Sequence, residues 1–228
     1  PDTVVTARSN FDSHGFTVHP VFMDVPPDQQ ALTAHVPFRC LLPRRVDQVL
    51  VTGLGVSAHR DALPVIRMQP DVQNQGYAAG LAAAMAVRNG QELRSLDIRQ
   101  LQRELVEVGI LDAKVLEHTD SFPLASEIVR EAAARGPTDL YTAAIIMEYP
   151  EVSIPILLET LQHDPDERRR EDAALILGLN RRKEALSPLM EMVDGREWDE
   201  GWDYTGMGQF GMSMSRLGAL IIALGKIK

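Results

Sequence analysis

The sequence predicts a mixed α+β segment, made of short strands and one glycine-rich helix, followed by an all-α solenoid of helical repeats. Apolar and polar residues alternate in the first half of the chain as they do in half-buried strands. Beyond about residue 120, every segment has helical periodicity. Residues 1–115 hold 11 basic and 12 acidic side chains, whereas residues 116–228 hold 12 and 20. We therefore predict two domains, 1–115 and 116–228.

Composition excludes several functional classes. The net charge of −9 opposes binding to a nucleic-acid backbone, and no apolar run approaches the roughly 20 residues that span a bilayer. The single cysteine, Cys40, excludes an internal disulfide. Because the chain starts at Pro1 and stops at Lys228 inside an apolar helical pattern, we interpret it as a piece of a longer protein. That protein would be cytoplasmic, or periplasmic if it carries a signal peptide.

Three strands are predicted in the first half. Residues 15–23 (GFTVHPVFM) alternate apolar and polar residues, although Pro20 restricts them to an edge or a bulge. A second strand is expected at 32–39. The more apolar run 46–52 leads into Gly53-Leu54-Gly55 and is typical of an interior strand.

Two helices follow these strands. The first is predicted over 71–88, with Pro70 and Asp71 at its start. Small residues recur there at helical steps, which predicts a face that lies close to a sheet; they are Gly76, Gly80, Ala83 and Val87. Asp97 caps the second helix, DIRQLQRELVEVG, which Gly109 ends.

Six further helical segments are predicted after residue 120, at 121–136, 137–150, 151–164, 165–180, 181–195 and 212–228. Two segment types, one ending in ALxLG-like residues and one containing xPxLxEx(L/M), alternate with a period near 32 residues. Such a period indicates a solenoid. The pattern resembles HEAT-type repeats.

Several short motifs carry no chemistry. Residues 53–58 match G-x-G-x-x-A, but two prolines follow before a helix begins, so we interpret them as a tight strand-end turn. His59-Arg60-Asp61 lacks the remaining kinase motifs. The six histidines lack HxxxH and HExxH spacing, so no metal site is predicted.

Residues 36–80 read VPFRCLLPRRVDQVLVTGLGVSAHRDALPVIRMQPDVQNQGYAAG and are preceded by NFDSHGF at 10–16. Over about 8–110 this ordered pattern resembles the C-terminal part of FAD-dependent oxidoreductases of the glutathione-reductase-like flavoprotein fold. Their N-terminal GxGxxG half, which holds the ADP moiety, has no counterpart here. The resemblance implies FAD as cofactor and that missing half as a partner in a longer protein.

The resemblance also implies a flavin site. The amides of Val72–Gln75 would face the pyrimidine edge of the isoalloxazine, where the helix dipole favours the reduced flavin. Gly53 and Gly55 would let the backbone approach the ribityl-phosphate part. The full set of implied cofactor-binding residues is Gly53, Gly55, Ser57, Met68, Gln73, Asn74, Gln75 and Gly76.

Three side chains are candidates for the substrate side of the flavin. Arg39 and Arg67 would face an unknown small-molecule substrate, and His59 is the candidate catalytic acid or base. Alternatively, these side chains pair with acids such as Asp61 and Asp71. A second hypothesis for the whole chain is a non-catalytic module whose helical repeats bind a protein partner or a second copy.

The end of the chain gives two further expectations. Trp198 and Trp202 lie among acids and are expected to pack their loop on the solenoid. The last helix carries an apolar stripe that no later helix covers, formed by Leu217, Leu220, Ile221 and Leu224. We expect self-association, the 194–211 insertion or residues of a longer protein to cover it.

Overall fold

The computed structural model describes residues 1–12, 19–23, 31–199 and 215–227. Its regular elements, in chain order, are β1 (Thr3–Ser9), α1 (Pro20–Met23), β2 (Leu32–Pro37), α2 (Leu63–Ile66), α3 (Gln69–Asn89), α4 (Ile98–Glu107), α5 (Ser126–Arg135), α6 (Leu140–Glu148), α7 (Pro150–His163), α8 (Glu167–Leu179), α9 (Leu186–Val193) and α10 (Arg216–Lys226). Among the described residues, no helix is both long and apolar enough to cross a membrane.

The chain divides into two compact units, each with its own core. The first unit comprises residues 1–16 and 30–121, and the second comprises 17–29 and 122–228. The protein is mostly helical, with a small sheet in the first unit. A mixed α+β beginning followed by helices is therefore confirmed.

The first unit is built on an antiparallel pair of strands. β1 and β2 pair with Thr6 opposite His35, and the register is irregular between Thr3 and Val5. Val5 and Ala7 lie two residues apart on β1, so their side chains are on the same face, and both are completely buried. Helices α3 and α4 pack on this strand, which places the core of the unit between the sheet and the helices.

The predicted strands are only partly correct. β2 confirms the strand expected at 32–39, although a 3₁₀ turn begins at Phe38. The strand expected at 15–23 is wrong over 20–23, where Pro20 starts α1; residues 13–18 lie outside the described part of the chain. β1 was not predicted, because no turn signal precedes it.

The interior strand predicted at 46–52 does not form. Its backbone groups form no ladder with a neighbouring strand: the carbonyl of Val46 accepts from the Arg94 side chain, and the amide of Val51 donates to the carbonyl of Leu41 at 2.8 Å. Gln48, with a left-handed φ of 56°, accepts the amide of Leu93 at 3.0 Å. The apolar run therefore lies at the surface, where Val46 is 52% exposed.

Helix α3 is the glycine-rich helix, but its close-packed face is not the predicted one. Ala78, Ala82 and Ala86 repeat at steps of four and are buried against the core. Gly76 and Gly80 lie on the exposed side, and a Cβ built at either position meets nothing within 4 Å. The predicted close approach of the Gly76 face to a sheet is therefore wrong, because small residues occur on both faces of this helix.

The ends of α3 and α4 follow local capping rules. α3 begins two residues before the predicted start, with Met68 as N-cap, and ends at Gly90 in the left-handed region. In α4, the Asp97 carboxylate accepts the amide of Gln100 at 3.0 Å. Gly109, at φ 79°, follows the end of α4 as predicted.

Within the second unit, α5 to α10 confirm all six predicted helical segments. α8 lies at the centre, and its residues from Ala173 to Leu179 are all buried. Gly178 lets α9 and α10 approach α8, because a Cβ there would lie 2.7 Å from Leu189 Cδ1 and 3.0 Å from Ala223 Cβ. Contacts α7·α8 link successive helices, and contacts α5·α7 and α8·α10 link alternate ones.

The stripe on α10 is covered within the second unit. Leu217 and Leu220 are 7% and 0% exposed and pack with α8 and α9, whereas Ile221 remains 45% exposed. The Asp199 carboxylate accepts the amides of Arg216 and Leu217 at 2.7 and 2.8 Å. The expectation of an uncovered stripe is therefore wrong, since α10 packs back on earlier helices.

Charged groups reinforce the start of α10. Arg216 is 8% exposed and binds Glu171, together with Asp172 at 2.6 Å, while Arg196 binds Glu171 at 2.7 Å. Burial raises the pKa of Glu171, but the two guanidinium groups outweigh burial and hold that pKa below its usual value. Trp198 is 65% exposed, contrary to the expected packing of its loop, and Trp202 lies outside the described residues.

Candidate functional site

The segment 53–58 forms an irregular turn rather than the end of a strand. Gly53–Gly55 make a 3₁₀ turn, and Gly53 has a φ of 65°, which favours glycine. A Cβ on Gly55 would lie 2.9 Å from Val51 Cγ1. The amide of Ser57 donates to the carbonyl of Cys40 at 2.9 Å. The turn is fixed by these contacts, while Leu54, Gly55 and Ser57 are exposed.

Gln75 joins this turn to the start of α3. Its side chain is 0% exposed, with Oε1 accepting the Gly53 amide at 3.1 Å and Nε2 donating to the Ile66 carbonyl at 2.9 Å. Both ends of the amide group are therefore bound inside the protein. The Gln75 side chain is therefore a positioning group for Gly53, and cofactor binding at Gln75 stays a prediction.

The first turn of α3 begins two residues earlier than predicted. The amide of Val72 already donates to the Met68 carbonyl at 2.9 Å, so the amides of 72–75 belong to the helical ladder. The amides that precede this first i→i−4 bond are those of Gln69 and Asp71. Gln73 and Gly76 are exposed, and Met68 and Asn74 are half-buried.

Asp71 is a buried acid at this helix start. It is 6% exposed, and its carboxylate accepts the backbone amide of Arg8. Its Oδ2 atom has no hydrogen-bond partner among the described residues. Burial raises the pKa of Asp71 above its usual value, and the hydrogen bond from Arg8 opposes that shift. The position of Asp71 at the helix start was predicted, but its burial was not.

His59 lies beside the turn. Its side chain is 77% exposed, and Nδ1 accepts the amide of Asp61 at 3.2 Å, which caps a short 3₁₀ turn. Asp61 is bound at 2.8 Å by Arg60. In the free protein, His59 is therefore a capping residue whose ring faces solvent.

Arg39 and Arg67 are bound to acids other than the predicted ones. Arg39 donates to both carboxylate oxygens of Asp120, at 3.1 and 3.3 Å, and lies 3.3 Å from Asp2. This hydrogen bonding is the main cause that raises the pKa of Arg39. Arg67 donates to the carbonyl of Asp12 at 2.7 Å and lies 3.3 Å from its carboxylate. These acids lie far from Arg39 and Arg67 in the sequence, so local patterns do not reveal the pairs.

The predicted residues therefore fall into separate places in the first unit. The turn 53–57 and the start of α3 are joined through Gln75 and Val72, whose Cγ1 lies 3.5 Å from a Cβ built on Gly53. Arg39 and Arg67 are held by Asp120 and Asp12 instead. The candidate site is the surface made of residues 53–57, 68–69, 73–74 and 76, which we call the turn–helix surface.

Comparison with known proteins bears on the same region. A family model described as FAD dependent oxidoreductase matches residues 1–105, from the start of the chain into α4. That range contains all predicted cofactor and substrate-side positions, and residues 106–228 lie outside it. No curated protein and no solved structure matches the chain. The first 105 residues are thus similar to FAD dependent oxidoreductases, a family whose description implies FAD binding.

Proposed function

We propose that residues 1–105 contribute part of the flavin-binding region of an FAD-dependent oxidoreductase. The observation that carries this proposal is the family match over those residues. The turn–helix surface is the place where we locate the cofactor, since the positions that the resemblance implies, apart from Gln75, lie there. FAD, when bound, would supply hydride transfer through its flavin ring.

The residues of the turn–helix surface are suited to a flat, largely uncharged group. Ser57, Gln73 and Asn74 supply neutral hydrogen-bonding groups, while Gly55 and Gly76 leave the backbone uncovered on the exposed side. The amides of Gln69 and Asp71 add donors at the positive end of a 21-residue helix. An electron-rich edge of a cofactor would be stabilised there.

Individual residues would have separate roles. Gly53 and Gly55 would admit close backbone approach, Met68 would lie against the ring system, and Gln75 would hold the turn without touching the cofactor. His59 would serve as the acid or base only if substrate or cofactor binding reorients its ring, which now accepts the Asp61 amide. Arg39 and Arg67 would reach a substrate only by leaving their acids.

The same proposal includes the type of flavoprotein and the domain organisation. We propose that the chain is part of a longer protein of the glutathione-reductase-like flavoprotein type, in which an N-terminal half holds the ADP moiety. We further propose domains at 1–115 and 116–228, with the second a HEAT-like solenoid. Contacts α5·α7 and α8·α10, which join alternate helices, support the solenoid.

A flavin assay tests the proposal. The protein isolated at its natural length should be yellow and release FAD on denaturation. The 228-residue chain alone should bind FAD weakly at most, because dinucleotide binding energy is spread over both halves of such a site. A colourless natural-length protein would contradict the proposal. A submicromolar dissociation constant for the chain alone would contradict the role given to a missing half.

A second candidate function is protein binding by the second unit. Leu186 and Met190, one turn apart on α9, are 41% and 55% exposed, and Ile221 and Ile222 on α10 are 45% and 36% exposed. Apolar side chains at helical spacing on a surface are typical of an interaction face. Light scattering measures the mass of the chain in solution, with Met190→Glu as the altered variant. A dimer that the variant dissociates would indicate a second copy, whereas a monomer would indicate a different partner.

A further inference from the structure

A polar cavity in the first unit, separate from the turn–helix surface, brings two histidines together. The cavity has a volume of about 490 Å³, and its lining includes His35, His118, Arg39, Glu117 and Asp120. His35 lies on β2, and His118 follows a 3₁₀ turn near the end of the unit. Their ring centres are 5.0 Å apart, with the ring planes at 73°.

Hydrogen bonds hold the backbone at both histidines. His35 is fixed by the pairing of β1 with β2, and its Nδ1 lies 3.3 Å from Thr6 Oγ1 on the opposite strand. The carbonyl of His118 accepts a hydrogen bond from Arg99 at 2.9 Å. Gln102, which is fully buried, donates to the carbonyls of Pro1 and Thr3 at the start of β1. These contacts anchor both walls of the cavity.

The separation of the rings suits joint binding of one metal ion. Two imidazoles that bind one ion at about 2.0–2.1 Å, at an angle of about 100°, have ring centres about 5 Å apart. The hydrogen-bonding contact of His35 Nδ1 with Thr6 leaves Nε2 as its metal-binding nitrogen. An outer hydrogen bond of this kind commonly orients a metal-binding histidine.

The charges around the pair favour a cation over an anion. Asp2, Glu117 and Asp120 line the cavity, whereas Arg39 is the cationic side chain among its lining residues. Arg39 is already bound to Asp120 and Asp2.

We propose that His35 and His118 form a two-histidine site for a divalent transition-metal ion of the Zn²⁺, Cu²⁺ or Ni²⁺ class. Imidazole nitrogen suits these ions, whereas Mg²⁺ and Ca²⁺ require oxygen ligands. The described residues contain no group of three or more His, Cys, Asp or Glu side chains set around a metal position. Water, and the Glu117 carboxylate after rotation, would complete the coordination. The ion would join β2 to the end of the first unit.

Calorimetric titration of the 228-residue chain with Zn²⁺ tests the site. We expect one saturable site whose affinity falls about tenfold or more in His35→Gln and in His118→Gln. His163→Gln is the matched control, because His163 is an exposed histidine at the end of α7 and should leave the affinity unchanged. Unchanged affinity in both cavity variants, or no saturable binding by the parent chain, would overturn the proposal.

Electron paramagnetic resonance with Cu²⁺ gives an independent readout. The parent chain should show coupling to two imidazole nitrogens, and His118→Gln should show one. Both signals should be lost on acidification, because protons compete for imidazole. Coupling to a single nitrogen in the parent chain, or a spectrum that His118→Gln does not change, would overturn the pairing even if Zn²⁺ binds elsewhere.

Discussion

Gln75 shows how one buried polar side chain determines a local structure. Its two hydrogen bonds tie the left-handed Gly53 and the end of α2 to α3. Gln73, Asn74 and Gln75 cannot be told apart by local pattern, since all three precede Gly76 in a polar run. Only the orientation of α3 against β1 selects Gln75 for the interior.

Replacement of Gln75 by alanine should lower the free energy of unfolding by about 2–4 kcal/mol. The change leaves the Gly53 amide and the Ile66 carbonyl without partners and opens a cavity. Chemical denaturation measures the effect, with Gln73→Ala as the control on the exposed side of the same helix. Equal stability of the two variants would show that the Gln75 bridge does not form.

Asp71 should make stability depend on pH. Its folded-state pKa is raised by burial, so its contribution is fully present below the unfolded pKa of about 3.9 and is lost as pH rises through the folded pKa. Asp71→Asn keeps an acceptor for the Arg8 amide but cannot ionise. As pH rises from the unfolded-state pKa of Asp71 through its folded-state pKa, the unfolding free energy of the parent chain should therefore fall relative to that of Asp71→Asn.

Unfolding free energies measured at several pH values test this dependence. The readout is the slope of the unfolding free energy against pH. An amide nitrogen in place of a carboxylate oxygen lowers the unfolding free energy equally at every pH, so it leaves this slope unchanged. Glu107→Gln, at an exposed acid of α4, is the control. Parallel pH profiles for the parent chain and Asp71→Asn would rule out a raised pKa at this position.

At the scale of elements, helical periodicity was a better guide than strand alternation. The six helices α5 to α10 of the second unit and both long helices of the first were predicted, because their apolar repeats and caps are local. The strand predicted at 46–52 was wrong, because the distant Arg94 binds the Val46 carbonyl and Gln48 has a left-handed φ, neither of which local alternation reveals. The exposed face of α3 was also misassigned, because alanines and glycines form two similar stripes.

Gly178 is the position where helix packing is most sensitive to added volume. Gly178→Ala places a methyl group 2.7 Å from Leu189 Cδ1 and 3.2 Å from the Ala223 carbonyl oxygen, so the Leu189 side chain must shift and α10 must give way slightly. We expect a loss of about 1–3 kcal/mol in unfolding free energy. Gly225→Ala, which meets nothing within 4 Å, should be neutral or stabilising. Thermal unfolding of both variants measures this, and a Gly178→Ala variant as stable as the control would refute the close packing of α8.

For the whole molecule, the family resemblance could be predicted from the sequence, but the spatial arrangement of its residues could not. The ordered motifs of 36–80 agree with the family match over 1–105. The partners of Arg39 and the meeting of His35 with His118 depend on residues far apart in the chain. Such pairings follow from tertiary packing, which local patterns do not encode.

The central claim is that the exposed side of α3 at Gly76 faces a flavin in the natural-length protein. A Cβ at Gly76 meets nothing within 4 Å, so Gly76→Val should leave the melting temperature almost unchanged. The added side chain would nevertheless occupy the space assigned to the cofactor. Gly225→Val is the matched control, because its position in α10 is equally open and lies outside the family match.

The flavin content of purified Gly76→Val, measured together with its melting temperature, tests this claim most directly. We expect Gly76→Val to lose most of its bound FAD while its melting temperature is retained, whereas Gly225→Val should retain its FAD. Full flavin occupancy in Gly76→Val would contradict the placement of the cofactor at the turn–helix surface.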